Sequence, residues 1–260
     1  MIDQRAIVDK DAKIAPNVKI GPYAIIGKNV EIGEGSWIGP HAVIEGRTKI
    51  GKNNQIFQMA SIGAIPQDKK YHGEDTTLEI GDNNIFREFC TMNLGTAQGG
   101  GVTKIGNGNL FMNYSHVAHD CVVGNETVFS NNASLAGHVI VGDFTVFGGF
   151  VKIAQFVRIG AYSFFIGGAD IGKDVLPYVI AGGDLDSAKL YGLNLIGLKR
   201  HGFSEQTLAH LKDAYNIILR KKLTVVQAIP ELEAMLPVCP EVQRFIDMLN
   251  QSERGILRLR

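Results

Sequence analysis

From Ile2 to Ile171, with two interruptions, an apolar residue returns at every sixth position of this chain. The first run is Ile2, Val8, Ile14, Ile20, Ile26, Ile32, Ile38, Ile44, Ile50, Ile56 and Ile62. The series resumes at Ile80, Phe86 and Met92, then continues from Ile105 through Phe111, Val117, Val123, Phe129, Leu135, Val141, Phe147, Ile153, Ile159 and Phe165 to Ile171. A period of six matches neither the 3.6-residue stripe of an amphipathic helix nor the two-residue alternation of an ordinary strand. It matches short parallel strands joined by turns and stacked as a solenoid, with each six-residue unit forming one side of a coil. Gly follows many of the apolar positions and small residues such as Ala24, Ser36 and Ala60 stand four places on, as tight turns and a narrow interior require.

Repeats of this kind resemble the hexapeptide-repeat family. That resemblance implies three units per coil and an all-β left-handed parallel β-helix, an exception to the usual right-handed crossover. With about 18 residues per coil and strands of adjacent coils roughly 4.8 Å apart, residues 18 apart in sequence become neighbours on successive coils.

Two segments break the phase, 64–79 and 95–104. Insertions in a solenoid leave the core and become loops on a face. Beyond Asp174-Val175-Leu176-Pro177-Tyr178 the repeat stops. The expected organisation is therefore a solenoid over 1–185 and a C-terminal α-helical domain over 186–260. Ser204 is the expected N-cap of a helix reaching about Lys221, with Leu208, Leu211, Ala214, Tyr215 and Ile218 on one face. Shorter helices are expected at Pro230 to Leu236 and Pro240 to Leu249, each opened by its proline.

Lys plus Arg and Asp plus Glu are equal at 26 each, so no net field marks a nucleic-acid binder. One basic cluster, Lys199, Arg200, Arg220, Lys221 and Lys222, stands out as a docking patch for an acidic partner. Cys90, Cys121 and Cys239 lack the spacing of a zinc knuckle or redox pair, which suits a reducing compartment. No leader-like N-terminus and no apolar run long enough for a bilayer is visible; a cytoplasmic location and no integral membrane segment are expected. A core of this size needs no cofactor for stability.

Chemistry concentrates at His116-Val117-Ala118-His119-Asp120 and at Ala136-Gly137-His138. Counting 18 residues on from His119 reaches Gly137, a second step reaches Gln155, and 18 from Asp120 reaches His138. This places a polar column in an apolar repeat. A neutral imidazole beside an exposed glycine N–H is a general base next to an oxyanion donor, as acyl transfer from a thioester to an alcohol requires. Cys90 and Cys121 occupy the small, inward position of their units and read as core residues.

The chain is similar, over essentially its whole length, to the acyl-carrier-protein–UDP-N-acetylglucosamine O-acyltransferases of lipid A biosynthesis. The segments that carry this are Gln67-Asp68 with Lys70-Tyr71, Gly95-Thr96 with Gln98-Gly99-Gly100-Gly101, the two histidine segments, Asn131-Asn132-Ala133, and Gly197-Leu198-Lys199-Arg200. The resemblance implies a homotrimer with active sites between subunits, an acyl-carrier-protein bearing a 3-hydroxyacyl chain as donor, and UDP-N-acetylglucosamine acylated at its 3-position. It implies His119 as general base, Asp120 as its orienting carboxylate and the Gly137 N–H as oxyanion donor. Asp68, Lys70, His116, His138 and Gln155 would line the acceptor and acyl pocket. Asn194 and Arg200 would bind the nucleotide or the donor's phosphate-bearing arm, and Gly167 would set acyl-chain length. No metal is implied.

Asn93-Leu94, Ala154 and Ile196 depart from the pattern of that family. They keep open a 3-amino analogue of the UDP-sugar as acceptor. The three histidines also keep open a zinc-dependent γ-type carbonic anhydrase, which shares the fold.

Overall fold

The structure, a computed structural model, describes residues 1–221 and 223–259. Parallel strands of mostly two residues stack into three sheets of nine, eight and ten strands. They form the faces of a triangular left-handed β-helix. Register follows the 18-residue step: Ile7 pairs with Ile25, Ile25 with Val43, His116 with Ser134 and Ser134 with Lys152. At the insertions the step lengthens, so Ser61 pairs with Thr91 and Thr91 with His116.

The apolar members of the hexads point inward and are almost wholly buried. Inside the ten-stranded face Phe86, Phe111, Phe129, Phe147 and Phe165 form a continuous ring stack with centroids 4.5–5.0 Å apart. Each such contact adds about 0.5–1.5 kcal/mol beyond area burial. A buried polar ladder runs beside them: Asn84 donates to Asn54 Oδ1, Asn109 to Asn84 Oδ1 and Thr127 to Asn109 Oδ1. Each amide satisfies its neighbour, so these polar groups carry no unpaired-burial penalty.

Both insertions leave the same edge of the prism. The first joins strand Ser61–Ala64 of the nine-stranded face to Thr77–Ile80 of the eight-stranded face. The second joins Thr91–Asn93 to Val102–Ile105 across the same corner. They are pinned to each other by Leu94 N–H to Ala64 O, Gly95 N–H to Thr77 O and Thr77 N–H to Gly101 O. The ends of both phase breaks are thus regular strand, and the loops proper are shorter than the broken phase indicated.

At the far end Val179–Gly182 pairs antiparallel with Lys189–Leu193. The second strand therefore extends the ten-stranded sheet past the boundary expected at residue 185. Helix α1 spans Leu195–Arg200, α2 Glu205–Arg220, α3 Val225–Glu233 and α4 Gln243–Gln251. Ser204 Oγ caps α2 by accepting from Thr207 N–H. Helix α3 starts earlier than expected, and Pro230 lies inside it. Its start is set by Thr224 and Gln227, which form a capping box that satisfies two free N–H groups reciprocally. Pro240 opens a short 3₁₀ turn that leads into α4. The tail returns to the last coil, where the buried Asp174 carboxylate accepts from Ser252 Oγ at 2.7 Å and Leu257 N–H donates to Asp174 O.

Candidate active site

His119 and Asp120 occupy the turn between strands His116–Val117 and Val122–Val123, on the edge from which both insertions emerge. Asp120, His138 and Phe156 are successive corner residues with φ of 60°, 64° and 65°. Left-handed backbone recurs at corners all along this solenoid, so here it marks the turn and not a strained site. His138 N–H donates to His119 O and Phe156 N–H to Gly137 O, which fixes the column from coil to coil.

His119 Nδ1 lies 2.7 Å from Asp120 Oδ2, and both side chains are buried. In the tautomer that carries the proton on Nδ1, the Asp120 carboxylate accepts from it and Nε2 is left outside the pair. The imidazole lies against Gly137, where an added Cβ would be 2.7 Å from Nε2. The Gly137 N–H donates to no acceptor among the described residues. An imidazole and an unspent backbone donor therefore stand side by side.

His138 crosses His119 edge-on at 5.1 Å and stacks on Phe156 at 4.4 Å. Its Nε2 is 3.7 Å from Asp120 Oδ2. Burial pushes its pKa below the usual histidine range, with Asp120 and Asp68 pulling the other way. Asp68 thus acts on the site from the first insertion, where its carboxylate also accepts from Lys70 N–H at 3.0 Å. The Lys70 and Gln155 side chains are exposed on the same edge. His116 Nδ1 meets Thr91 Oγ1 at 2.7 Å, and burial, with the neighbouring His119, pushes its pKa down as well.

Cys90 and Cys121 point into the core, and burial raises both thiols to about 12. Neither is a nucleophile at neutral pH. Among the described residues His119, Asp120 and His138 form the one group whose ligand atoms lie together, within 4.8 Å. His116 stands outside it with Nδ1 engaged, so one protomer does not assemble the three-histidine set of a γ-type carbonic anhydrase.

Three expected site residues lie away from this corner. Asn194 caps α1, its Oδ1 accepting from Gly197 N–H and its Nδ2 donating to Tyr162 O. Asn194 and Arg200 border an apolar cavity of about 640 Å³ on the ten-stranded face, with Phe144, Phe164 and Ile196. Gly167 occupies a different corner, next to Gly149. In the basic cluster Lys199 pairs with Glu205 and Lys221 with Glu231; Lys222 lies outside the described residues.

Counting by 18 reaches neither Thr91, which lies before the second insertion that changes the step, nor Thr96, which lies within that insertion. A count corrected for seven inserted residues takes Thr91 to His116, as the register does. Phe156 was within reach of the plain count from His138.

Residues 103–137 match the bacterial transferase hexapeptide family (six repeats), and residues 174–257 match the UDP N-acetylglucosamine O-acyltransferase family, domain 2. An acyl-[acyl-carrier-protein]–UDP-N-acetylglucosamine O-acyltransferase from Trichlorobacter lovleyi is 57% identical, with 99% of each chain covered. The like-named protein of Aeromonas salmonicida is 53% identical, covering 99% of this chain and 100% of its own. The solved structure of LpxA from Acinetobacter baumannii superposes with a TM-score of 0.96 at 48% identity, covering 99% of both chains. With that identity over its full length, the chain belongs to the acyl-carrier-protein–UDP-N-acetylglucosamine O-acyltransferase family.

Proposed function

We propose that this protein transfers a 3-hydroxyacyl chain from acyl-carrier-protein to the 3-hydroxyl of UDP-N-acetylglucosamine, the first step of lipid A biosynthesis. The observation that carries the chemistry is the His119–Asp120 pair seated against Gly137, whose N–H is free. His119 Nε2 takes the proton of the sugar hydroxyl as its oxygen attacks the thioester carbonyl. The oxyanion is stabilised by the Gly137 N–H, a preorganised donor that needs no reorientation. Collapse breaks the C–S bond, and the imidazolium returns the proton to the leaving thiolate. Asp120 holds the ring and offsets its transient charge, while a neutral His138 and Asp68 orient the acceptor.

The proposal includes a homotrimer. Asn194 and Arg200 line a cavity on one face while His119 stands on the opposite edge, a division that suits a site completed by a neighbouring copy. The test is turnover of 3-hydroxyacyl-acyl-carrier-protein with UDP-N-acetylglucosamine and, in competition, its 3-amino analogue. Ester formation at the 3-position is expected. Preferential amide formation would assign the amine acceptor, and absence of either product would overturn the reading.

A further inference from the structure

The second insertion is built around one carboxylate. Asp120 Oδ1 accepts from Thr96 N–H at 2.7 Å, and Asp120 Oδ2 accepts from Thr96 Oγ1 at 2.6 Å. Asp120 N–H in turn donates to Thr103 Oγ1 at 2.8 Å. Gly99 presses its Cα on the same group, where an added Cβ would overlap the carboxylate. Thr96 also caps the 3₁₀ turn Ala97–Gly99, accepting from Gly99 N–H at 3.2 Å. The Asp120 side chain is fully buried as a result.

Two imidazoles compete for this carboxylate: His119 Nδ1 at 2.7 Å and His138 Nε2 at 3.7 Å from the same Oδ2. Rotation about the Asp120 side chain would exchange one for the other. Thr96 grips both oxygens and removes that freedom. We infer that Thr96 is a positioning residue of the transfer reaction, holding Asp120 on His119 and away from His138, so that the proton stays on Nδ1 and Nε2 remains the base. Charge-assisted bonds of this length are roughly twice as strong as neutral ones, and a side chain that fixes a base through its partner acts on rate more than on binding.

This inference rests on the reading of His119 as the base. It is tested in the full-length protein with Thr96→Val and Thr96→Ser. Thr96→Val is expected to lower kcat by roughly 10- to 100-fold with KM for the UDP-sugar within about threefold, and Thr96→Ser to restore most of the rate. Long-range ¹H–¹⁵N correlation spectra of the imidazoles give a readout that packing alone would not move. His119 is expected to change from a single Nδ1–H tautomer to a mixture in Thr96→Val, and to remain single in Thr96→Ser. Thermal melting of each variant identifies a loss that comes from unfolding; the tautomer, read on the folded fraction, still decides in that case. Wild-type kcat and an unchanged tautomer in Thr96→Val, with His119→Ala inactive, would overturn the role of Thr96 alone. Full activity in His119→Ala would overturn the underlying reading instead.

Discussion

The imidazole of His119 rests on the backbone of Gly137 so closely that a Cβ added there would lie 2.5 Å from Cε1. Gly137 is outside the left-handed region, so its backbone can hold alanine. Gly137→Ala therefore isolates the contact: the methyl must displace the ring from the donor beside it. A shift of about 1 Å at a reacting group costs on the order of 10² in rate. We expect kcat to fall at least that far while the melting temperature changes little. A variant within about threefold of wild type in steady-state assay would mean that the ring does not work where it lies.

The same contact bears on what could be read from the chain beforehand. His119, Gly137, Asp120 and His138 were legible because each pair is separated by one uninterrupted coil, and the six-residue period supplies the step. Thr96 was not legible as a partner of Asp120. It lies within an insertion whose path is set by hydrogen bonds to Thr77 and Ala64 and not by the repeat. Helix α3 opens at Val225 and not at Pro230 because the Thr224 and Gln227 capping box fixes its first turn, a pairing that a proline-based signal does not contain. The cavity at Asn194 and Arg200 depends on the fold of the returning strand Lys189–Leu193, for which the hexad period carries no information.

Gly167 separates two uses of glycine. Its neighbour Gly168 carries the left-handed conformation of the corner, φ 76°. Gly167 does not need it, and an added Cβ would meet the backbone of Gly149, closely at O (3.3 Å) and loosely at N (3.7 Å). A turn requirement thus explains Gly168 but not Gly167, whose assignment to the end wall of the acyl pocket is a proposal to be tested against close packing on Gly149. In Gly167→Met the side chain would take the volume of several methylenes, each worth about 0.8 kcal/mol of burial. The longest accepted donors should lose activity by orders of magnitude while shorter ones are spared. An unchanged ranking of donor lengths would place the pocket's end on another coil.

His116 and His138 are held below the ordinary histidine pKa by burial. Each binds fewer protons folded than unfolded, so stability should decline as pH falls below about 6.5, the value in an unfolded chain, and go on falling toward the native pKa. His116→Asn retains a polar atom near Thr91 Oγ1 without the titration. Its melting temperature should fall less than wild type's between pH 7 and pH 5, as scanning calorimetry can record. An equal or steeper decline would show that His116 is not part of the acid response.

The central claim is that His119 is the base. Single-turnover acyl transfer by His119→Ala, with saturating UDP-N-acetylglucosamine and 3-hydroxyacyl-acyl-carrier-protein, tests it most directly. Loss of a positioned base costs about 10² to 10⁴ in rate. The expected result is a fall of that size in a variant with wild-type melting temperature and oligomeric state. A folded variant that transfers the acyl chain within a few-fold of the wild-type rate would contradict the account.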